Sequence, residues 1–329
     1  MKKQKQNNNG RSFEFALGVA LSKRAARYTS VEFTEDVQYE VCKSAFNSSS
    51  LDEQKRFSES ANLPLETLFR LEPAICNPRG SDDVLYIGLN SDAAGIAGDV
   101  RDVVLSRRNK KGKNVWEIGI SAKNNHDAVK HSRLSPSIDF GEKWIGKPCS
   151  IEYMNTVASV FNRVMEWKSR GVESWKDLGE DKEERVYIPL LNAFKDEMVR
   201  LFHEGDKTVA ENLIRYLIGR KPFYKVIKQD RNAMVVMKAF NFTKGLGEKY
   251  NDIKPDCRLE KIPLPGRMVE LAYSEKIRGK IRDSLTLILD RGWQIDFRIH
   301  SADGPLVNSL KFDIQLVGNP PVLFTQHVF

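Results

Sequence analysis

Two short stretches hold the groups best suited to chemistry. GDVRDVVL, residues 98–105, sets Asp99 and Asp102 three apart. EIGISAKNNHDAVKHSRL, residues 117–134, holds Ser121 and Lys123 two apart, ahead of a run of amide, imidazole and cationic side chains. Carboxylates beside a hydroxyl and a lysine suit hydrolysis of a phosphodiester. A hard ion such as Mg2+ takes one or two carboxylates together with substrate phosphate and water, polarises the phosphoryl oxygen and acidifies the attacking water. A lysine beside it holds or deprotonates that water and stabilises the charge that develops.

Strands must bring these residues together. Val100 to Leu105 and Val115 to Lys123 have strand-like patterns and are joined by a basic turn around Lys110 to Lys113, which reads as an antiparallel hairpin. With the turn centred near Lys111, Asp102 lies opposite Ser121, and Asp99 opposite Lys123 or Asn124. Ser121 and Lys123, two apart, share a face. Glu117 shares it too, but four residues along a strand is about 13 Å, too far to share an ion with Ser121, so it is read as structural. Glu14, a lone acid in the first turns of an apolar helix, is a further candidate carboxylate, although the helix dipole alone would favour an acid there. His126 and His131 are five apart, a poor fit to one metal-binding helical face.

The whole chain has 329 residues, 41% of them hydrophobic, enough for one large domain or two ordinary ones with real cores. The start, MKKQKQNNNG, is polar and basic with no signal-type apolar run after it, and no eighteen apolar residues follow one another. A cytoplasmic protein is expected. Cys42, Cys76, Cys149 and Cys257 are scattered, without the spacing of a disulfide framework or a zinc site, and read as reduced thiols. The formal charge is +8, and residues 101–150 alone carry eleven Lys and Arg against five Asp and Glu. That concentration suits a polyanion, since each neutralised phosphate releases counterions, though a solvated basic loop at Arg107 to Lys113 supplies much of it.

Residues 1–9 read as a flexible basic arm. An amphipathic helix is predicted over Arg11 to Arg27, then helices over Thr34 to Phe46 and Leu51 to Ala74, the latter interrupted at Pro64. Val84 to Leu89 is a strand ahead of the hairpin. Residues 151–222 read as helical, over Ile151 to Lys168, Lys182 to His203 and Lys207 to Ile218. From Phe223 on, seven strands are predicted: Phe223 to Ile227, Ala233 to Phe240, Met268 to Tyr273, Ser284 to Leu289, Trp293 to Ile299, Leu310 to Val317 and Val322 to Phe324. Domains are accordingly set at 10–150, 151–222 and 223–329. Arg215, Arg220, Lys221, Lys225, Lys228 and Arg231 add further cations in the second half, candidates for contact with a polyanion, although surface solvation explains most of them.

The residues of the hairpin resemble the PD-(D/E)XK nuclease superfamily, whose members pair a helix bearing a Glu with an Asp on one strand and an acid-x-Lys on the next, followed by a helix. Here the order would be Glu14, Asp99 or Asp102, Ser121-Ala122-Lys123, then a helix from Asp127. GDVRDVVL, EIGISAKNNHDAVKHSRLS and the early GRSFEFA more specifically resemble type II restriction endonucleases of the HaeIII kind, over about residues 10–150. The expected fold is mixed α/β, a central mixed sheet flanked by helices, with a helical middle and a β-rich C-terminal region. One departure stands out: the usual acid two before the lysine is Ser121. Some restriction enzymes of the superfamily are similar in having Ser-x-Lys with a carboxylate supplied elsewhere. Glu14 is the first choice for that acid, ahead of Asp127, Asp139 and Glu142.

The resemblance implies a Mg2+-dependent endonuclease that cuts both strands of duplex DNA within GGCC, leaving blunt ends with a 5′-phosphate and a 3′-hydroxyl. It also implies a homodimer, to read a palindrome with two-fold symmetry, and a cognate cytosine methyltransferase as genetic partner. If Lys123 sits at the scissile phosphate, the residues after it lie at the DNA. Asn124, Asn125, His126, Lys130, His131 and Arg133 would then position the backbone or read bases, helped by the free donors of a helix N-terminus. Two other readings remain: a structure-selective repair or phage nuclease of this fold, and a basic DNA-binding protein without catalysis.

Overall fold

The computed structural model describes every residue except Met1, Ser81, residues 92–97, His126, Ala128, His131, residues 275–283 and residues 302–303, and describes no side chains from residue 2 to residue 7. Its helices are α1 Lys2–Ala25, α2 Val37–Asn47, α3 Leu51–Asn62, α4 Leu65–Leu71, α5 Ile151–Ser169, α6 Ile188–Glu204 and α7 Thr208–Ile218. The strands run β1 Val31–Phe33, β2 Leu85–Leu89, β3 Val103–Arg108, β4 Asn114–Asn124, β5 Arg133–Leu134 and β6 Phe223–Gln229. They continue as β7 Met234–Phe240, β8 Met268–Tyr273, β9 Ser284–Leu289, β10 Gln294–His300, β11 Leu310–Gly318 and β12 Phe324–Val328. Two compact units result, one of Met1–Asp127, Gly219–Ile262 and Val322–Phe329, the other of Ala128–Ile218 and Pro263–Pro321.

The first unit is built on a mixed sheet of order β1-β2-β3-β4-β6-β7-β12, in which β1–β2 and β4–β6 are parallel and the other pairs antiparallel. Strict alternation along β4 separates its faces. Ile118, Ile120 and Ala122 join Phe13, Leu17 and Leu21 of α1 in one core with Tyr224, Val226, Val235 and Met237 of β6 and β7. Glu117, Gly119, Ser121 and Lys123 therefore take the opposite face. The helices over the apolar face start where local chemistry dictates: Asp36 caps α2 by accepting from the Tyr39 N–H at 2.9 Å, and Ser50 and Glu53 form a reciprocal capping box on α3. Pro64 separates α3 from α4. Helix α1 begins at Lys2, running through the polar stretch that the sequence suggested was an arm.

In the second unit the sheet has order β5-β11-β10-β9-β8 and is antiparallel throughout. Strand β10 buries Ile295, Phe297 and Ile299 and turns Asp296, Arg298 and His300 the other way. Phe140, Trp144, Phe194, Phe297 and Phe312 pack as a chain of tilted, stacked and edge-on rings at its centre. The expected helix from Asp127 is not formed among the described residues. The Val129 and Lys130 N–H groups donate to the Ile314 and Leu217 carbonyls instead of closing helical turns, and Arg133–Leu134 pairs with β11. An open strand edge has overridden local helix preference.

One buried acid of the first unit ties its segments together. Glu72, at the end of α4, accepts from the Tyr224 hydroxyl at 2.6 Å and the Gly247 N–H at 2.7 Å. Burial pushes its carboxyl up to about 7, against those two donors. An acid raised in the folded state stabilises fully below its ordinary value, and that contribution is lost as pH rises through the folded value. Wild-type stability in urea should therefore fall between pH 5 and pH 8 relative to Glu72→Gln, whose profile should be flatter across that window.

Candidate active site

The hairpin register is Val103↔Ile120, so the next position sets Asp102 beside Ser121. Three donors meet one oxygen there: Asp102 Oδ2 accepts from Ser121 Oγ at 3.1 Å, the Ala122 N–H at 2.7 Å and Lys123 Nζ at 3.2 Å. Ser121 is buried, whereas Asp102 and Lys123 each keep about a quarter of their side chains accessible. A fixed carboxylate and a lysine thus stand at a surface that a substrate can reach.

Asp99 lies in a different environment. The Arg101 guanidinium grips it with two bonds, Nε to Oδ1 at 2.7 Å and Nη2 to Oδ2 at 2.6 Å, and Lys221 Nζ adds a third at 3.1 Å. Arg101 also donates to Glu117 Oε1 at 2.7 Å, which gives Glu117 its structural task. Gly119 makes room for this arrangement: a Cβ there would lie 2.0 Å from Arg101 Cδ and 2.7 Å from its Cβ. Burial opposes ionisation of Asp99, but the Arg101 and Lys221 contacts prevail and hold its carboxyl down at about 2.

Glu14 is not brought to Asp102. Helix α1 packs on the apolar face of the sheet, and Glu14 accepts a contact from Cys42 Sγ of α2 at 3.7 Å. Asp139 and Glu142 belong to the second unit, where Asp139 accepts from the Glu142 and Cys149 N–H groups. Asp127 does share the hairpin's unit, past the end of β4, and is bound by Lys225 and Lys238.

The residues after Lys123 separate. Asn124 falls on the apolar-side parity of β4. Asn125, in the left-handed region at φ 64°, clamps the strand end by donating its side-chain amide to Asp230 and accepting from the Asp230 N–H at 2.8 Å. Lys130 stacks over Tyr216 at 4.5 Å and Arg133 reaches Ser309 at 3.3 Å, both within the second unit. His126 and His131 lie outside the described residues. Sequence reading placed no weight on Arg101, and treated Lys225 and Lys228 among solvated cations although both are buried. A lone lysine inside the apolar run Phe223 to Ile227 was the available signal.

The hairpin brings an Asp and then Ser-x-Lys to one face of a helix-backed mixed sheet, the order that the resemblance to the PD-(D/E)XK class leads one to expect. The family described as HaeIII restriction endonuclease matches residues 10–320. The chain is also 33% identical over 319 residues to the type II restriction enzyme HaeIII of Haemophilus aegyptius, covering 97% of this chain and 96% of that one. No solved structure matches. The chain belongs to the HaeIII restriction endonuclease family. Among the described residues no helix is long and apolar enough to cross a membrane.

Removing the guanidinium should expose its role. Arg101→Met is expected to cost about 3 kcal/mol or more at pH 7, because it leaves two carboxylates with one lysine between them. Asp99 is depressed, so its contribution is present above its ordinary value and is lost as pH falls through about 2. The difference between wild type and variant in urea unfolding should therefore shrink as the pH approaches 2.

Proposed function

We propose that this chain is a type II site-specific deoxyribonuclease that hydrolyses phosphodiester bonds of duplex DNA with Mg2+, at GGCC and with blunt ends. The observation that carries the reading is the meeting of Ser121, Ala122 and Lys123 on Asp102 Oδ2, in a chain of this family. Asp102 is the assigned metal ligand, with the Ser121 hydroxyl beside it. Asp99 is assigned to holding Arg101, and Glu14 to the helical layer.

The donor set fits such an ion in a particular way. Among the described residues no three His, Cys, Asp or Glu side chains gather as a metal cage. Mg2+ commonly needs none, since it keeps several waters and completes its shell with one or two carboxylates and substrate phosphate. When bound, it would polarise the phosphoryl oxygen and acidify the attacking water.

The protein's own groups do the rest. The Ala122 N–H and Ser121 Oγ fix the orientation of the Asp102 carboxylate through Oδ2, and Oδ1 is the oxygen assigned to the ion. Lys123, resting on Asp102 in the free protein, turns to a non-bridging phosphate oxygen or to the attacking water. Its positive charge offsets the negative charge that grows on the phosphoryl oxygens. Products would carry a 5′-phosphate and a 3′-hydroxyl.

GGCC is a palindrome, which supports a homodimer reading both half-sites with two-fold symmetry. The five-stranded sheet of the second unit is assigned to DNA recognition or dimerisation, and Asn125, Lys130 and Arg133 to DNA contact. A cognate cytosine methyltransferase would protect host DNA.

A plasmid digest tests the assignment. Purified protein with Mg2+ should give a fixed ladder of fragments whose lengths match the GGCC positions, abolished by EDTA. Lys123→Ala and Asp102→Asn should each lose about 100-fold or more in cleavage rate, while Asp99→Asn loses far less. A smear would favour the structure-selective alternative. Intact DNA that still shifts in a binding gel would sink the enzyme reading and leave a binding protein.

A further inference from the structure

The sheet carries charges next to Ser121 that cleavage as derived above does not use. Ser121 lies across from Lys225 on the parallel neighbour β6, Lys225 across from Lys238 on β7, and Lys238 across from Thr325 on β12. These four form one row across the face that also bears Lys123. Lys225 is only 3% exposed and Lys238 is mostly covered. Two lysines directly opposite each other repel, and moving them out of water is costly unless an anion joins them. Asp127 is that anion: one oxygen accepts from Lys225 and the other from Lys238 at 2.5 Å.

The charge balance shows which kind of ligand the row suits. Among the described residues Lys123, Lys225 and Lys238 face two carboxylates, Asp102 and Asp127, three cations to two anions. Burial pulls Lys225 down to about 8, Asp127 opposing this and Lys123 and Lys238 adding to it. A second metal ion is disfavoured beside such a pair, whereas a second oxyanion is not. Asp127 holds the position from a chain segment just past the strand, with a quarter of its side chain accessible.

We propose that Lys225 and Lys238 form a second phosphate subsite, which takes a phosphodiester adjacent to the one at Lys123 and is filled by Asp127 until DNA displaces it. This deepens the nuclease reading and rests on it. The exchange swaps one oxyanion for another: both ammonium groups keep an acceptor, and the Asp127 carboxylate passes to water. It also gives Ser121 a role. An acid at position 121 would stand beside Lys225 and hold it permanently, while a serine leaves the partner of that lysine exchangeable.

The test is equilibrium binding of the full chain to a GGCC-containing duplex, by fluorescence anisotropy in EDTA, across about 50–300 mM salt. Asp127→Asn keeps the shape and removes the competing charge, and should bind about fivefold or more tighter at equal salt. Lys238→Gln should bind more weakly, with a log–log salt slope shallower by about 0.9, one phosphate contact. Thermal melts establish that each variant is folded. If Asp127→Asn does not fold, the Lys238→Gln slope decides alone. A folded Asp127→Asn that binds no tighter, or a Lys238→Gln slope equal to wild type, overturns the subsite and leaves a structural ion cluster. A loss of Mn2+ affinity in Asp127→Asn with unchanged DNA binding overturns it in favour of a metal ligand. Failure of the wild type to bind duplex at all overturns the nuclease reading itself.

Discussion

The hydrogen bonds that converge on one oxygen of Asp102 hold together the end of the hairpin and, with it, the proposed site. Asp102 still takes part in the backbone ladder, donating to the Ile120 carbonyl and accepting from the Asn90 N–H. One step further the backbone of β3 has left the sheet. The Ala122 N–H would have no carbonyl to meet, and the Asp102 carboxylate takes that place. A side chain thus continues the ladder where the main chain stops, which fixes its orientation without help from any ligand. Ser121 and Lys123 follow because they flank the residue whose N–H is satisfied.

The same strand imposes the second constraint. β4 is apolar on one face and polar on the other, and neither face is simply solvated. On the polar face the cations lie deep: Arg101 over Gly119, Lys225 beside Ser121. Each is matched by carboxylates, Asp99 and Glu117 for the first, Asp127 for the second. Removing one partner of such a buried pair costs more than the pair itself contributes, so this face tolerates few independent changes. Tyr224 and Glu72 lock the opposite side of β6. Lys225 is therefore fixed by a residue that faces away from it.

Much of this is legible in the amino-acid sequence. Counting back from a turn near Lys111 sets Asp102 against Ser121, because antiparallel pairing leaves one free parameter once the turn is located. Period-2 and period-3.6 patterns located the long helices and most strands. What was lost was short or tertiary. β1 and β5 hold three and two residues, too few for a period to register. The residues after Asp127 had helix-like spacing, yet their N–H groups found carbonyls on Ile314 and Leu217. Glu14 stands out as a lone acid in the first turns of an apolar helix, but spacing along a helix does not say which face of a sheet the helix covers. That Asp99 and Asp102 stand in different surroundings needed the position of Arg101, whose stem has room because residue 119 is glycine.

The parallel pairing of β4 with β6 has a consequence in time. Asn124 and Lys228 are neighbours in the sheet, yet all of Ala128–Ile218 is made between them. A nascent chain carries Asp102, Ser121 and Lys123 long before it carries Lys225 or Lys238. Until β6 has been made, β4 has an open edge and its polar face lacks Lys225, and until β7 follows, it lacks Lys238. The hairpin alone is a fragment with unmet backbone groups, and the loop that must close to complete it is long, so closure comes late. Cutting competence, on the reading above, is therefore acquired only near the end of synthesis.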